Sequence, residues 1–329
     1  MQVFRSLSEI PSGFGPTVVA IGNFDGVHRG HQAIIGDVRS RARELGAKSV
    51  ALTFDPHPVR VLRPEQAPKL ITPLDQRLEL LAATGLDATV VIPFTQDFSK
   101  LSAQDFTQQV LAHSLRAIEV HEGDTFRFGH NASAGTPELI ELGRELGFRV
   151  EAHRAITVRG ITVSSSQVRK QISAGDLGIA RALLGRVFSI RSTQARGRGI
   201  GTRLTVPTIN LAQYDELLPA DGVYITQLRV GGNDGPTFDG VTNAGVRPTF
   251  GEPSYAIETY LLNFREIDIT PQTPLELCFL KRIRGEKKFD SPEALKAQIM
   301  KDVAQAQRYL RLMTRIADRC TVSGAGSLS

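Results

Sequence analysis

The chain has 329 residues, of which 41% are hydrophobic and 22% charged, and its formal net charge is +5. This is the composition of a soluble globular protein with room for two domains. Two cysteines cannot build a disulfide framework, no apolar run reaches bilayer length, and the first residues lack the pattern of a signal peptide. We therefore expect a protein of the reducing cytoplasm that has no membrane segment.

The basic residues are dispersed along the chain. Arg39, Arg41 and Arg43, for example, share one predicted helix with Asp37 and Glu44. A nucleic-acid surface instead concentrates its cations, often with aromatic residues between them. A modest positive charge suits anionic small-molecule substrates at least as well, so we expect such substrates and no nucleic-acid partner. The oligomeric state stays open.

Strands and helices alternate through the first half of the chain. The predicted strands are 17–21, 49–54, 88–92 and 118–122, and the predicted helices are 32–45, 74–83, 101–115 and 137–147. This alternation predicts a parallel sheet covered on both faces, whose ligands bind beyond the carboxyl ends of the strands. Loops 23–25, 55–58 and 123–129 each follow a predicted strand, so we expect them at one edge.

His28 and His31 lie where the first of these strands turns into a helix. The first N–H groups of a helix and its dipole make an anion site. The nearby Asn23 and Gly26 can line the same pocket, and the imidazoles add donors for charge that develops on phosphorus. Two such histidines could instead be surface residues or part of a metal site, but no third ligand stands nearby at metal-site spacing. The pattern favours phosphate chemistry.

A further helix is predicted to start within residues 163–169, with a serine as its N-cap. Taken alone, Ser165, Ser166 and Arg169 are explained by a helix cap and a surface arginine. Beside a phosphate site, the same hydroxyls, backbone N–H groups and guanidinium would form a second phosphate clamp.

The pattern changes near residue 186. Short predicted strands follow at 187–191, 208–211, 223–230, 237–244, 256–262 and 275–283, and then a long helix at 291–316. Glycine and asparagine make residues 231–235 a hairpin loop. We expect an antiparallel β-barrel with a C-terminal helix. The predicted domains are 1–185 and 186–318, with a disordered tail at 319–329.

All seven histidines lie within the first 153 residues. Acid–base chemistry in the second domain must therefore use carboxylates, lysines or hydroxyls. The two domains differ in their chemistry.

Eight segments, in order, resemble the motifs of the bifunctional riboflavin kinase/FMN adenylyltransferase family, the prokaryotic FAD synthetases. They are residues 22–31 (GxFDGVHxGH in the family), 53–58 (TFDPHP), 122–129 (GxDFRFG), 163–169 (ISSTxIR), 206–210 (the PTAN strand), 241–249 (VANIGxRPT), 258–260 (ETH) and 284–289 (RxExKF). Three positions depart from the family pattern: Thr125 replaces Asp or Asn, Thr205 replaces Gly, and Tyr260 replaces His.

The resemblance implies an α/β nucleotidyltransferase-type domain that transfers AMP from ATP to FMN, followed by a β-barrel riboflavin kinase domain. ATP, riboflavin and FMN are the implied substrates, and Mg²⁺ is the implied cofactor. His28 and His31 would neutralise charge at the α-phosphate, while Ser165, Ser166 and Arg169 would hold the outgoing phosphates.

In the kinase domain, Glu258 matches the family's catalytic position and would act as the base. Thr208 and Asn210 alternate onto one face of a strand and offer oxygen donors suited to Mg²⁺. The remaining implied site residues are Gly197, Gly199 and Gly201 in a phosphate loop, Asp55, Pro56 and His57 at the flavin of the first domain, and Arg284 and Glu286 at the flavin of the second. Without the resemblance, Glu258 would read as a solvated strand residue and the glycines as a linker.

Two other functions remain open from the sequence. In one, only the adenylyltransferase is active and the barrel merely binds flavin. In the other, the chain is a non-catalytic flavin-binding protein that kept the scaffold. The intact His28, His31 and Arg169 argue against the second, and Thr208 and Glu258 argue less firmly against the first.

Overall fold

The structure is a computed structural model that describes residues 1–195, 208–247, 254–265 and 269–324. The chain divides into two compact units, Met1–Arg169 with Ala182–Gly185, and Lys170–Arg181 with Arg186–Ser329. Each unit contains its own six-stranded sheet. No helix among the described residues is both long and apolar enough to cross a membrane.

Strands and helices alternate along residues 1–185. The strands are β1 (Gln2–Phe4), β2 (Thr17–Ile21), β3 (Lys48–Asp55), β4 (Ala88–Pro93), β5 (Ala117–Gly123), β6 (Arg127–Phe128), β7 (Ala134–Gly135), β8 (Arg149–His153), β9 (Thr157–Val158) and β10 (Ile161–Thr162). The helices are α1 (Arg29–Leu45), α2 (Pro58–Leu62), α3 (Leu74–Ala83), α4 (Ala103–Asp105), a π-helical segment (Phe106–Ser114), α5 (Thr136–Leu146), α6 (Ser165–Ala174) and α7 (Leu177–Leu184). Short 3-10 turns lie at Leu7–Glu9, Pro64–Gln66, Phe98–Lys100 and His130–Ala132.

The first sheet has the order β1-β4-β3-β2-β5-β8, and every neighbouring pair is parallel. All five residues of β2 are buried. Val18 and Ala20 pack in one cluster with α1 and α3, whereas Val19 and Ile21 pack in another with the π-helical segment and α5. Burial on both faces explains why residues 18–21 of this strand are all apolar. The predicted parallel sheet is confirmed.

The strand order reverses between the neighbouring strands β2 and β5. The strand that follows β2 lies on one side of this pair, and the strand that follows β5 lies on the other side. From β2 the chain passes through α1 to β3, and from β5 it passes through α5 to β8. Ligands of open α/β sheets bind at such a switch point, beyond the carboxyl ends of the strands. The loop of His28 leaves β2 at this place.

Besides several short elements that were not predicted, three elements of the first unit differ from prediction for identifiable reasons. The predicted helix 101–115 is only briefly α-helical and continues as a π-helix, where the Thr107 hydroxyl donates to the Ala103 carbonyl at 2.7 Å and competes with a helical N–H. Strand β8 is missed because its partly exposed residues give no apolar run. The three-residue strand β1 is too short to be recognised by periodicity.

The second unit is an antiparallel barrel. Its elements are β11 (Phe188–Ser192), β12 (Thr208–Asn210), β13 (Gly222–Val230), β14 (Thr237–Arg247), β15 (Ser254–Leu261), β16 (Leu275–Arg284) and α8 (Pro292–Gly324). The strand order is β11-β16-β13-β14-β15-β12, and each neighbouring pair is antiparallel. The predicted hairpin at 231–235 is confirmed, since Arg229 pairs with Thr237 across it.

The two end strands of this order also meet. Gln194 and Leu211 form an antiparallel bridge. The Ala195 N–H donates to the Asn210 carbonyl, and the Ala212 N–H donates to the Thr193 carbonyl, each at 2.8 Å. These contacts close the sheet on itself, and we call segments 193–195 and 210–212 the barrel seam.

Both the inner and the outer face of the barrel sheet contain buried residues. Inside, three fully buried threonine hydroxyls form a chain, with Thr226 to Thr242 at 2.7 Å and Thr242 to Thr259 at 2.9 Å. Outside, Ala306 and Leu310 of α8 pack in one apolar cluster with strand residues that include Val223 and Ile225.

Helix α8 continues to Gly324, whereas the sequence predicts a helix end near residue 316 and a disordered tail from residue 319. Residues 317–323 contain no glycine or proline, so nothing in their composition stops the helix before Gly324.

Candidate active sites

The turn between β2 and α1 contains three residues with positive φ. Phe24 has φ 49°, Gly26 has φ 83° and Val27 has φ 37°. A Cβ atom at position 26 would also lie 3.0 Å from the side chain of the buried Ile71, so the tight space favours glycine there in addition to the conformation. Non-glycine residues in this region cost free energy and persist where the surroundings hold them. The turn is therefore held by its contacts.

His28 and His31 lie together at the start of α1. His28 is the N-cap, and its Nδ1 accepts the His31 backbone N–H at 3.3 Å. The two rings stack with centroids 3.6 Å apart, and Phe24 packs edge-on against His31 at 5.2 Å. Because Nδ1 of His28 accepts, the neutral ring carries its proton on Nε2. The fold thus places an N–H donor and a second imidazole at a helix N-terminus, as the sequence predicts.

Asp25 holds this turn to two other segments, and its role was missed in the sequence. Its carboxylate is 1% exposed and accepts the backbone N–H groups of Ile71 and Thr72 at 3.0 Å. It also accepts Arg169 Nη2 at 2.6 Å. The Gly26 N–H donates to the Thr72 hydroxyl at 3.0 Å, so Gly26 shapes the turn while its own N–H is used within the protein.

The start of α6 lies against the same turn. Ser164 is the cap, since its hydroxyl accepts the Gln167 N–H at 3.2 Å, which confirms the predicted serine cap. The Ser165 hydroxyl donates to the Asp25 carbonyl at 2.9 Å, and Ser166 is exposed. Arg169 donates from Nε to the Lys69 carbonyl at 3.0 Å in addition to its bond with Asp25. Two helix N-termini therefore meet at Asp25.

Asp55 is the last residue of β3, and Pro56 and His57 follow it at the same sheet edge. His57 caps α2, where its Nδ1 accepts the Val59 N–H at 3.3 Å. Burial is the main cause that lowers the pKa of His57 to about 4; the positive charges of Arg169, Arg77 and Arg60 contribute to this shift, and Asp25 opposes it. His57 is therefore neutral at physiological pH.

A polar network behind α1 was also missed. Arg41 of α1 donates from Nη2 to the buried Glu119 at 2.9 Å, and Glu119 lies 2.9 Å from His121 Nε2. The Nδ1 of His121 is 2.8 Å from Nε2 of His153, whose Nδ1 is 3.5 Å from Asp37 of α1. This network ties α1 to β5 and β8. Alternating charges in the sequence gave no sign of it, because the partners come from separate elements.

In the barrel, the predicted kinase residues share one face. Thr208 is opposite Tyr260, Asn210 is opposite Glu258, and Glu258 is opposite Asn243 on its other side. Residues directly opposite in an antiparallel pair present side chains to the same face, with Cβ atoms about 5 Å apart. Asn210, Glu258 and Asn243 therefore form one polar row across three strands. Asn243 was not predicted, although it lies within the motif at 241–249.

Arg284 is the last residue of β16, and Glu286 lies two residues beyond it. Arg284 donates from Nε and Nη2 to Asp302 of α8, at 3.0 and 2.9 Å, and Asp302 is buried. Glu286 is exposed, but its carboxylate lies against Gly245, where a Cβ would overlap it. Arg284 thus binds the C-terminal helix to the barrel and is itself partly exposed, whereas Glu286 lies at the surface.

Gly197, Gly199, Gly201 and Thr205 lie outside the described residues. Among the residues that are described, no group of three His, Cys, Asp or Glu side chains could hold a metal ion.

Known proteins match both halves of the chain. The FAD synthetase family matches residues 11–167, and the riboflavin kinase family matches residues 184–310. A bifunctional riboflavin kinase/FMN adenylyltransferase of Pseudomonas fluorescens is 36% identical over 93% of this chain and 97% of the relative. The protein of that name from Escherichia coli strain K12 is 32% identical over 90% of this chain and 93% of the relative.

Among solved structures, a protein described as a macrolide-efflux protein from Streptococcus pneumoniae aligns with a TM-score of 0.80 at 25% identity, covering 93% of this chain and 98% of that one. The likeness extends over both units. With both family matches in order, and relatives above 30% identity along nearly the whole length, the chain belongs to the family of bifunctional riboflavin kinase/FMN adenylyltransferases.

Proposed function

We propose that this chain makes FAD from riboflavin in two ATP-dependent steps at two separate sites. The barrel domain, residues 186–318, phosphorylates riboflavin to FMN. The first domain, residues 1–185, transfers AMP from a second ATP to FMN. The observation that supports the proposal is a close pair of candidate side chains in each domain: the rings of His28 and His31 stack in the first, and Asn210 lies directly opposite Glu258 in the second.

In AMP transfer, a phosphate oxygen of FMN attacks the α-phosphorus of ATP, the bond to the β-phosphate oxygen breaks, and pyrophosphate leaves. The FMN phosphate is already nucleophilic at neutral pH, so the protein has to position the reactants and stabilise charge. His28 supplies its Nε2–H to the phosphate, and the stacked His31 adds the second imidazole. The N-terminal turn of α1 contributes the positive end of its dipole.

The start of α6 serves the departing phosphates. Arg169 has five N–H donors, and its bonds to Asp25 and Lys69 employ two of them. Those bonds fix the orientation of the guanidinium, so less side-chain conformational entropy is lost when it binds a phosphate. Ser166 is exposed at the first turn of the helix and offers its hydroxyl. Asp55, Pro56 and His57, at the same edge, are assigned to the flavin.

In riboflavin phosphorylation, Glu258 accepts the proton of the ribityl hydroxyl as that oxygen attacks the γ-phosphorus and ADP leaves. The Thr208 hydroxyl and the Asn210 amide oxygen are hard, neutral donors, a set that fits Mg²⁺ shared with nucleotide phosphates. When bound, Mg²⁺ neutralises charge on the phosphates. Glu286, and the exposed side of Arg284, are assigned to the flavin of this domain.

We place the protein in the cytoplasm, where ATP is present and thiols stay reduced. Burial raises the pKa of the Cys278 thiol to about 11, so this cysteine remains protonated and unreactive at neutral pH.

The test is to incubate the full chain with riboflavin, ATP and Mg²⁺ and to separate the flavins by chromatography. We expect FMN and then FAD. His28→Ala should accumulate FMN, whereas Glu258→Gln should leave riboflavin unchanged and still convert added FMN to FAD. Loss of both activities in either variant contradicts the two-site assignment. A wild-type chain that adenylates FMN but leaves riboflavin untouched shows that the barrel only binds flavin.

A further inference from the structure

Arg77 is a buried arginine in the middle of α3. It is 1% exposed and lies on the same helix face as the buried Leu78 and Leu81. Burial lowers the pKa of its guanidinium, while Asp55 and Asp25 oppose that shift. A buried charge is stable only where hydrogen bonds or an opposite charge compensate its loss of water. Its partners therefore indicate what it holds in place.

The Arg77 guanidinium joins the ends of two neighbouring strands. Nη1 donates to the Asn23 carbonyl at 2.7 Å, just beyond β2. Nη2 donates to the Phe54 carbonyl at 3.2 Å and lies 3.4 Å from Asp55 Oδ1, both at the end of β3. One planar fork thus spans the carboxyl edge of the sheet, where both site loops begin.

Both of these loops carry residues of the first candidate site. Asn23 precedes the strained turn from Phe24 to Val27, which leads directly into His28. Asp55 precedes His57, whose pKa the charge of Arg77 helps to lower. A shift of the fork would therefore move both loops relative to each other.

We propose that Arg77 is a positioning residue for AMP transfer, holding the His28 loop and the Asp55–His57 loop at a fixed separation. The inference rests on the proposed function of the first domain. Arg77 acts from beneath the site, through backbone carbonyls. A misplacement of about 1 Å in a reacting group can cost about 100-fold in rate, so a support of this kind acts on kcat.

A simpler role would be that Arg77 only supplies positive charge. The two roles separate with lysine, which keeps the charge but is a single point donor that cannot reproduce a planar fork. If charge alone matters, Arg77→Lys should behave almost as wild type. If the fork sets the geometry, Arg77→Lys should fail nearly as badly as Arg77→Met.

The experiment measures kcat and KM for ATP in FMN adenylation with full-length wild type, Arg77→Lys and Arg77→Met. The matched control is Arg63→Met, which changes an exposed arginine at the end of α2. Riboflavin phosphorylation by the same preparations reports on the barrel. We expect Arg77→Lys to lower kcat for AMP transfer about 100-fold while the KM for ATP stays within about threefold. Arg63→Met and all kinase rates should match wild type.

The inference is overturned if Arg77→Lys keeps its kcat, or if only the KM for ATP rises. If wild type itself does not adenylate FMN, the proposed function has failed instead. Should neither variant fold, Thr53→Val supplies the test, because the Thr53 hydroxyl also donates to the Asn23 carbonyl, at 3.2 Å. Losing that bond should lower kcat about fivefold at unchanged KM. An unchanged kcat in Thr53→Val would then refute the role of this carbonyl.

Discussion

Arg169 Nη2 lies 2.6 Å from Oδ2 of Asp25, and this ion pair joins α6 to the turn that carries His28. The Asp25 side chain is 1% exposed and that of Arg169 is 17% exposed. The carboxylate also accepts two backbone N–H groups, from Ile71 and Thr72. A single buried residue therefore sets the positions of three segments around the candidate phosphate site.

Asp25→Asn should destabilise the first unit and abolish AMP transfer while sparing the kinase. The amide has only one acceptor oxygen, so its NH₂ group must oppose either the N–H donors of Ile71 and Thr72 or that of Arg169. Breaking a buried pair on one side costs about 3–5 kcal/mol. Urea unfolding measures this loss. The control is Glu151→Gln, whose pair with Arg149 is exposed, with side chains 45% and 66% accessible, and which should cost less than about 1 kcal/mol. Equal stability of Asp25→Asn and wild type would refute the anchoring role.

His28 can be tested for its two roles separately. Asn is a good N-cap, so His28→Asn should keep the acceptor for the His31 N–H and retain stability, but it lacks the Nε2–H. His28→Ala loses both and should cost about 1 kcal/mol in addition. We expect AMP transfer to be lost in both variants, measured as FAD formed from FMN. Activity in His28→Asn close to wild type would show that capping, and not phosphate contact, is the task of His28.

Glu122 should make the first unit less stable as the pH rises. Its side chain is fully buried, and neither carboxyl oxygen accepts a hydrogen bond of good geometry from the described residues. Burial raises the pKa of Glu122 from 4.5 to about 7, and the Thr136 hydroxyl opposes this shift. Between these pH values the folded chain keeps a proton that the unfolded chain has lost. The contribution of Glu122 is therefore complete below about pH 4.5 and is lost as the pH rises through about 7.

The isosteric Glu122→Gln isolates this contribution. We expect its free energy of unfolding to equal that of wild type at acidic pH and to exceed it above neutral pH by about 1–3 kcal/mol. Urea titrations at both pH values measure the difference. His57 has the opposite sign, since its lowered pKa makes the fold less stable as the pH falls from 6.5 towards about 4. His57 is present in both proteins, so it cancels in the comparison. A pH-independent difference would contradict the prediction.

Asp302→Ala should loosen α8 and lower kinase activity. Asp302 is 2% exposed and accepts two bonds from Arg284 and one, at 2.8 Å, from Gln298. Its removal leaves the guanidinium of Arg284 without its carboxylate and should cost about 3 kcal/mol in the second unit. Calorimetry and riboflavin phosphorylation measure the two effects. The neighbouring exposed Lys301→Ala serves as control, and normal calorimetry of Asp302→Ala would show that this ion pair does not secure the helix.

The sequence predicts elements well where local chemistry marks both ends. Helix α3 begins after Pro73 and ends before Gly85, and its bounds agree with prediction. Helix 101–115 fails because an apolar pattern does not reveal a shift from α to π hydrogen bonding. Helix α8 is longer than predicted because residues 317–323 contain no glycine or proline that would mark where the helix ends.

The sequence predicts His28, His31 and Ser165 for the first site, and the structure places them around one turn, but their roles stay predictions; Asp25 and Arg77 were missed. A single aspartate after a strand gives no sign of its partners, which lie 46 to 144 residues away. Arg77 did leave a signal, since a charged residue at the apolar face of α3 must find a buried partner. The barrel residues Thr208, Asn210 and Glu258 could be predicted only from the resemblance to the family. The sequence of their strands alone allows many pairing registers. Their roles stay predictions.

The barrel seam has a consequence for hydrogen exchange. Other neighbouring strands of the barrel pair over at least three residues, whereas the seam is one bridge with two flanking hydrogen bonds. Local opening starts where few bonds hold, so the amides of Ala195 and Ala212 should exchange fastest among the interstrand amides of the described barrel. Asn210 gives its carbonyl to Ala195 and its side chain to the proposed Mg²⁺ site. Nucleotide bound there should therefore slow hydrogen exchange at the Ala195 amide. The exchange rate at the barrel seam would then report whether the kinase site is occupied.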